Sequence, residues 1–216
     1  MPDDATADST AATFLACLRE AAAFADPFDH WLLREAVSRQ TAAAICALPF
    51  APPDDPRHVG RREDDNERRV FFSPANQARF AVCAGLAAAF DSAPVRDRLS
   101  AMTGARLDGA RLRIEYCMDR PGFWLEPHTD IAVKRFTMVI YLADDPALAD
   151  AGTDILEGPP DHVHVRTAPY GRGRGVIFVP AANTWLGVGH TPIRGERRSL
   201  IVNYVSPDWR ATHELC

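Results

Sequence analysis

His128-Thr129-Asp130, with His190 sixty residues beyond Asp130, supplies two imidazoles and one carboxylate. That donor set can hold a redox-active iron on one face and leave the opposite face open for chemistry. If the first two donors sit on a strand, residues i and i+2 point to the same side, so both side chains address one metal. His190 would then come from a distant strand that a β-sandwich brings alongside.

The flanking segments carry the case further. Phe136 to Leu142 is short, β-branched and aromatic, and is bounded by Asp144-Asp145-Pro146, which predicts a buried strand. Gly195 to Val205 predicts a turn and then a strand. At period two, Arg197, Ser199, Ile201 and Asn203 share one face, and Arg198, Leu200 and Val202 the other. An Arg with a Ser two residues on can clamp a carboxylate: the guanidinium pairs bidentately and the hydroxyl adds a hydrogen bond.

In these residues and their order the chain resembles the 2-oxoglutarate- and Fe(II)-dependent oxygenases, most closely the prolyl-4-hydroxylase-like branch. The resemblance runs from about Arg111 to Val205. It is carried by Tyr116, Gly122 to Asp130, Thr137 to Leu142, Gly152-Thr153-Asp154, Gly175 to Pro180, His190 and Arg197-x-Ser199, in the family's order. The interval from His190 to Arg197 is shorter than in many relatives. Parity with Ser199 favours Arg197 over Arg198 as the clamp.

The resemblance implies a double-stranded β-helix (jelly roll, cupin-like) core. It also implies Fe(II) bound by His128, Asp130 and His190, with 2-oxoglutarate and O2 as cosubstrates. The far carboxylate of 2-oxoglutarate would meet Arg197 and Ser199. Tyr141, Tyr116 and Thr137 would face the cosubstrate; core packing is the alternative for both tyrosines. The implied reaction is hydroxylation of a C–H bond with release of succinate and CO2. Asp130 is retained, whereas halogenating relatives replace that carboxylate, so a hydroxylase or related oxidase is implied.

The bulk properties agree with an enzyme of this size. The chain has 216 residues, enough for one domain with a sizeable core, and a net charge of −5, which does not suggest nucleic-acid binding. Five cysteines, Cys17, Cys46, Cys83, Cys117 and Cys216, show no C-x-x-C spacing and predict reduced thiols in a cytoplasmic protein. Residues 1–10 predict a flexible, polar N-terminus that is neither a secretion signal nor a transit peptide. No apolar run approaches a membrane span.

Residues 11–216 are expected to form a single domain, mainly β, with helical support over about 11–104 and a jelly-roll core over about 111–205. Helices are expected over Thr13–Ala25 and Phe28–Leu48, from Ser73-Pro74 to about Asp91, and from near Pro94 to Gly104. Gly171-Arg172-Gly173-Arg174-Gly175 precedes a strand and predicts a turn rather than a phosphate loop.

Several features have plainer explanations. His162-Val163-His164 predicts a solvated loop or edge strand, and His30, His58 and His213 predict structural side chains. The charged run from Arg61 to Arg69 predicts either a self-paired solvated loop or a lining for the mouth of the barrel. Trp124 and Trp185 are candidates for the pocket wall or the core. A small metabolite or amino-acid-like substrate fits the size of the chain. Peptidyl side-chain hydroxylation, a cupin-type dioxygenase or isomerase, and a non-catalytic metal-dependent sensor or binding module are the competing readings.

Overall fold

The computed structural model describes residues 4–54, 60–62 and 69–216. Its strands form two sheets. The larger has seven strands in the order β1-β2-β9-β6-β11-β4-β3, and the smaller has four in the order β5-β10-β7-β8. The large sheet is built on β4 (Arg111–Asp119), β6 (Lys134–Tyr141), β9 (Gly175–Phe178) and β11 (Arg197–Val205). Its outer strands are β1 (Ala22–Phe24), β2 (His30–Leu33) and β3 (Val70–Phe71). The small sheet comprises β5 (Leu125–His128), β7 (Asp154–Leu156), β8 (His164–Thr167) and β10 (Trp185–Val188). All the strand pairings are antiparallel.

Alternation along the long strands sorts their residues into two cores. Leu200, Val202 and Tyr204 of β11 join Leu112, Ile114, Tyr116 and Met118 of β4 and Phe136, Met138 and Ile140 of β6 on one face. That face is covered by helices α1 (Asp4–Glu20), α2 (Arg39–Cys46), α4 (Ala81–Asp91) and α5 (Ala93–Thr103), with the short α3 (Pro74–Arg79) leading into α4. The opposite face brings Val139, Tyr141, Val176 and Phe178 against Ile155, Leu186 and Val188 of the small sheet. The two sheets therefore pack face to face, and the space between them holds the cavity described below.

The helical half departs from the sequence expectation in instructive ways. Residues 4–10, expected to be flexible, are the first turns of α1. His30–Leu33, expected within a helix, is strand β2, because its backbone completes the large sheet beside β9. The helix expected over Phe28–Leu48 is thus confined to α2, which starts where Ser38 Oγ accepts the Thr41 amide at 3.0 Å. One helix was expected from Ser73 to Asp91, but Phe80 takes an extended conformation and divides it. Gly104 ends α5 in the left-handed conformation, as its position predicted. The glycine run at 171–175 is a turn leading into β9. No described helix is long and apolar enough to cross a membrane.

Gly152 is the backbone's tightest constraint near the cavity. Its neighbours Ala151 and Thr153 hold Arg197 and Tyr141 in place, and a Cβ at 152 would lie 1.6 Å from the Ala168 carbonyl oxygen. Gly152→Ala is expected to cost at least about 3 kcal/mol, because backbone must move. Gly109, at φ 63° with open space around it, should cost only about 1 kcal/mol as alanine. Urea unfolding followed by circular dichroism measures both; equal losses would contradict this account.

Candidate functional site

A cavity of about 360 Å³ lies between the sheets. The small sheet contributes Leu125, His128, Leu186 and Val188, and the large sheet contributes Thr137, Val139, Phe178, Arg197, Ser199 and Ile201. Its volume is in the range of small-molecule sites. Its lining combines this apolar wall with many charged side chains, among them Arg62, Arg69, Arg113, Glu115 and Glu214.

Arg197 and Ser199 face this cavity, and Arg198 faces the other way. Arg197 is buried, with Nε donating to the Ala151 carbonyl at 2.9 Å and Nη1 to Asp119 Oδ2 at 2.6 Å. Asp119 also accepts from Arg62 Nη1 at 2.7 Å. Two guanidinium groups thus share one carboxylate, and among the described residues this end of the cavity carries a surplus positive charge. Ser199 is fully buried, and its Oγ has no hydrogen-bond partner. An orphaned hydroxyl beside a buried surplus cation is a costly arrangement unless an anion completes it. Arg198 instead donates to the Cys46 carbonyl at 2.7 Å and meets the Tyr116 hydroxyl at 3.3 Å.

The tyrosines require correction. Tyr116 lies opposite Leu200 in the register and belongs to the helix-facing core, so it does not face the cavity. The charged residues Arg113, Glu115 and Asp119 alternate with it, and they point inward. Tyr141 is on the inner face, but its hydroxyl is committed to Thr153: it donates to Oγ1 at 3.0 Å and accepts from the Thr153 amide at 2.7 Å. Thr153, not Tyr141, lines the cavity.

His128 and Asp130 both line the cavity, although β5 ends at His128 and Asp130 lies just beyond it. His128 Nδ1 lies 2.8 Å from the Glu126 carbonyl. A carbonyl only accepts, so Nδ1 carries the proton and Nε2 keeps a lone pair. Asp130 is held by Lys134 Nζ at one oxygen and by Thr137 Oγ1 at 2.5 Å at the other. Thr137 was expected at the cosubstrate; it lines the cavity, and its hydroxyl is engaged with Asp130.

His190 does not join them. Its ring is exposed and stacks on His164, with centroids 3.7 Å apart and planes within 3°. The physical cause is the turn after β10. Asp154 Oδ2 accepts the amides of Gly189 and His190 at 3.0 and 2.9 Å, and Gly189 takes φ 151°. This turn carries the ring toward β8, the edge of the small sheet opposite β5. Directly across from His128 in the β5–β10 register stands Leu186. Among the described residues, no three His, Cys, Asp or Glu side chains converge as a metal site. The imidazole and carboxylate present suit Fe(II) in kind, but in number they fall one short of the expected triad.

Other residues are distributed as follows. His164 opens edge strand β8, as one of its two sequence readings had it. His30 is buried with Nδ1 on the Phe28 carbonyl. His58 and residues 63–68 lie outside the described residues. Trp185 packs against His162, Trp124 against Gly60, and neither lines the cavity.

The mouth is walled by charge. Arg69 pairs with both oxygens of Glu115 at 2.9 and 2.7 Å. Arg113 donates to Glu115 at 2.8 Å, to Glu214 at 2.6 Å and to Asn203 at 2.9 Å. Asn203 Nδ2 in turn donates to Thr137 Oγ1 at 2.9 Å. One continuous polar network therefore runs from Asp130 to Arg69. The parity of Arg113, Glu115 and Asp119 along β4 was readable in the sequence; their partners were not.

No family model matches the sequence, and no curated protein does. Solved structures do resemble it. A prolyl-4-hydroxylase from Pseudomonas putida is 18% identical with a TM-score of 0.59, over 91% of this chain and 98% of its own. A prolyl hydroxylase from Trichoplax adhaerens, solved with a hypoxia-inducible-factor peptide, is 11% identical with a TM-score of 0.56, over 92% and 91%. An oxidoreductase of the 2OG-Fe(II) oxygenase family from Burkholderia pseudomallei is 17% identical with a TM-score of 0.52, over 96% and 93%. This chain shares its fold with these two prolyl hydroxylases and this 2OG-Fe(II) oxygenase-family protein.

Glu115 gives the charge wall a pH signature. Burial alone would raise its pKa, but Arg69 and Arg113 outweigh burial and hold it at about 2, down from 4.5. Its stabilisation is therefore present above about pH 4.5 and is lost as pH falls toward 2. Glu115→Gln should lower the unfolding free energy at pH 7 by about 1–3 kcal/mol, since buried Arg113 and half-buried Arg69 lose a shared carboxylate while keeping Glu214. The variant should also show a shallower decline between those pH values, measured by urea unfolding.

Proposed function

We propose that this chain binds 2-oxoglutarate in the cavity and works as a dioxygenase of the prolyl-4-hydroxylase-like type. The observation that carries this reading is the pairing of surplus charge at Arg197 with the orphaned Ser199 hydroxyl. A dicarboxylate's far end would accept from both, which satisfies the hydroxyl and neutralises the buried charge. The keto-acid end would then lie toward His128 and Asp130. We read the two-sheet architecture as the double-stranded β-helix that such enzymes use.

His128 and Asp130 are the side chains offered to Fe(II). Fe(II) held there would supply oxidative decarboxylation of 2-oxoglutarate to succinate and CO2, coupled to C–H hydroxylation by O2. Thr137 and Lys134 orient the Asp130 carboxylate, and the Glu126 carbonyl fixes the His128 tautomer. Leu125, Val139, Phe178, Leu186 and Val188 exclude bulk water from the space between.

The proposed substrate is a small metabolite or amino-acid-like molecule, because the cavity holds only about 360 Å³ and is lined by paired charges. A peptidyl side chain is the alternative within the same class, supported by the likeness to the Trichoplax hydroxylase solved with a peptide. A second reading, a non-catalytic 2-oxoglutarate-binding module, is favoured by the presence of Leu186 opposite His128.

Calorimetric titration with 2-oxoglutarate, followed by succinate assays with Fe(II) and O2, tests these readings. Arg197→Ala should weaken 2-oxoglutarate binding by about tenfold to a hundredfold, the value of losing roughly 1.5–3 kcal/mol of charge-assisted hydrogen bonding. Arg198→Ala should change it little. A larger effect at Arg198, or none at either position, would remove the support for the clamp. Binding without succinate release at any metal concentration would favour the non-catalytic module.

A further inference from the structure

We propose that Leu186 is the determinant of metal affinity in this protein. It occupies the third corner of the site, so that a divalent ion held by His128 and Asp130 is weakly bound and exchangeable. This rests on the reading of His128 and Asp130 as the side chains offered to the metal.

The geometry singles out position 186. Leu186 and His128 are direct partners across the antiparallel β5–β10 pair, and both line the cavity. Directly opposed residues have Cβ atoms roughly 4.5–5.5 Å apart on one face of the sheet, close enough for two imidazoles to meet one ion. Leucine has no lone pair to give. It is buried among Val188, Val139 and Phe178, so the corner is filled with hydrocarbon rather than left to water.

His190 cannot substitute. Its ring stacks on His164 of β8, and the strand order β5-β10-β7-β8 places β8 three strands from β5. At about 4.8 Å per strand, that is roughly 14 Å from the strand carrying His128, well beyond a shared coordination sphere. The Asp154 carboxylate that accepts the Gly189 and His190 amides fixes this placement. Asp130 adds a second reason for weak binding. Lys134 already neutralises it, and an incoming cation must share the carboxylate with that ammonium.

The experiment titrates Mn(II) into the full-length protein under anaerobic conditions, by calorimetry and by loss of the free-ion electron paramagnetic resonance signal. Leu186→His should tighten Mn(II) binding by at least about a hundredfold, since loss of even an outer partner of a metal ligand costs 10–100-fold. His190→Ala, an exposed change with little effect on folding, should bind Mn(II) as the wild type does. An unchanged affinity in a folded Leu186→His, or lost affinity in His190→Ala, overturns the proposal. Metal-free titration with 2-oxoglutarate keeps the two ideas separate. Retained 2-oxoglutarate binding with no gain from Leu186→His defeats this inference alone, whereas a tighter metal site without 2-oxoglutarate binding defeats the clamp and leaves Leu186 as assigned.

Discussion

A guanidinium buried between two sheets must be paired, and the pairing of Arg197 organises the inner face of this protein. Desolvating one such charge costs several kcal/mol unless partners replace water. Asp119 supplies the countercharge from the neighbouring strand, and the Ala151 carbonyl supplies a second acceptor from the loop before β7. Arg62 then shares Asp119, which ties residues near the start of the chain's described central segment to the sheet. Among the described residues this arrangement sets two guanidinium groups against one carboxylate at the inner end of the cavity.

The same logic explains why the long strands have such different faces. On β4, β6 and β11, one row of side chains is hydrocarbon and packs under the helices. The other row carries Arg113, Glu115, Asp119, Thr137, Arg197, Ser199 and Asn203, all buried. So many buried polar groups are tolerable only as a connected network. Arg197, Asp119 and Arg62 form one cluster, Ser199 Oγ stays unpartnered, and the chain from Asp130 through Thr137, Asn203, Arg113 and Glu115 to Arg69 is the larger network. It fixes the side chains at the cavity in position through bonds made across three strands, and it gives the site rigidity that loops alone would not supply.

The fold and the two ends of its cavity differ in how completely their polar groups are built. The architecture is shared with prolyl hydroxylases and an Fe(II) oxygenase over nearly the whole chain. Within it, the Arg197 end of the cavity is built in depth, with buried charges and an unsatisfied hydroxyl. The donor side offers one imidazole and one carboxylate, with hydrocarbon opposite the imidazole. A sheet can keep its packing when a buried polar ligand is exchanged for leucine, because burial stabilises the hydrocarbon. Coordination has no such tolerance, since it depends on a specific lone pair at a specific place.

The sequence by itself determined the strand faces of β6 and β11, the inward set of Arg197 and Ser199, the outward set of Arg198, and the turn at the glycine run. These follow from a two-residue period and from local backbone preference, which neighbours along the chain dictate. Sequence also held the signal that would have placed Tyr116 correctly, in the alternation of Arg113, Glu115 and Asp119 with Leu112, Ile114 and Met118. What it did not hold was register. Only the pairing of β5 with β10 puts Leu186 opposite His128, and only the Asp154 contacts turn His190 toward His164. Likewise, β2 became a strand because β9 offered an unpaired edge, overriding a helical-looking pattern. Spacing along the chain names the residues that could meet; long-range hydrogen bonding between strands decides which ones do.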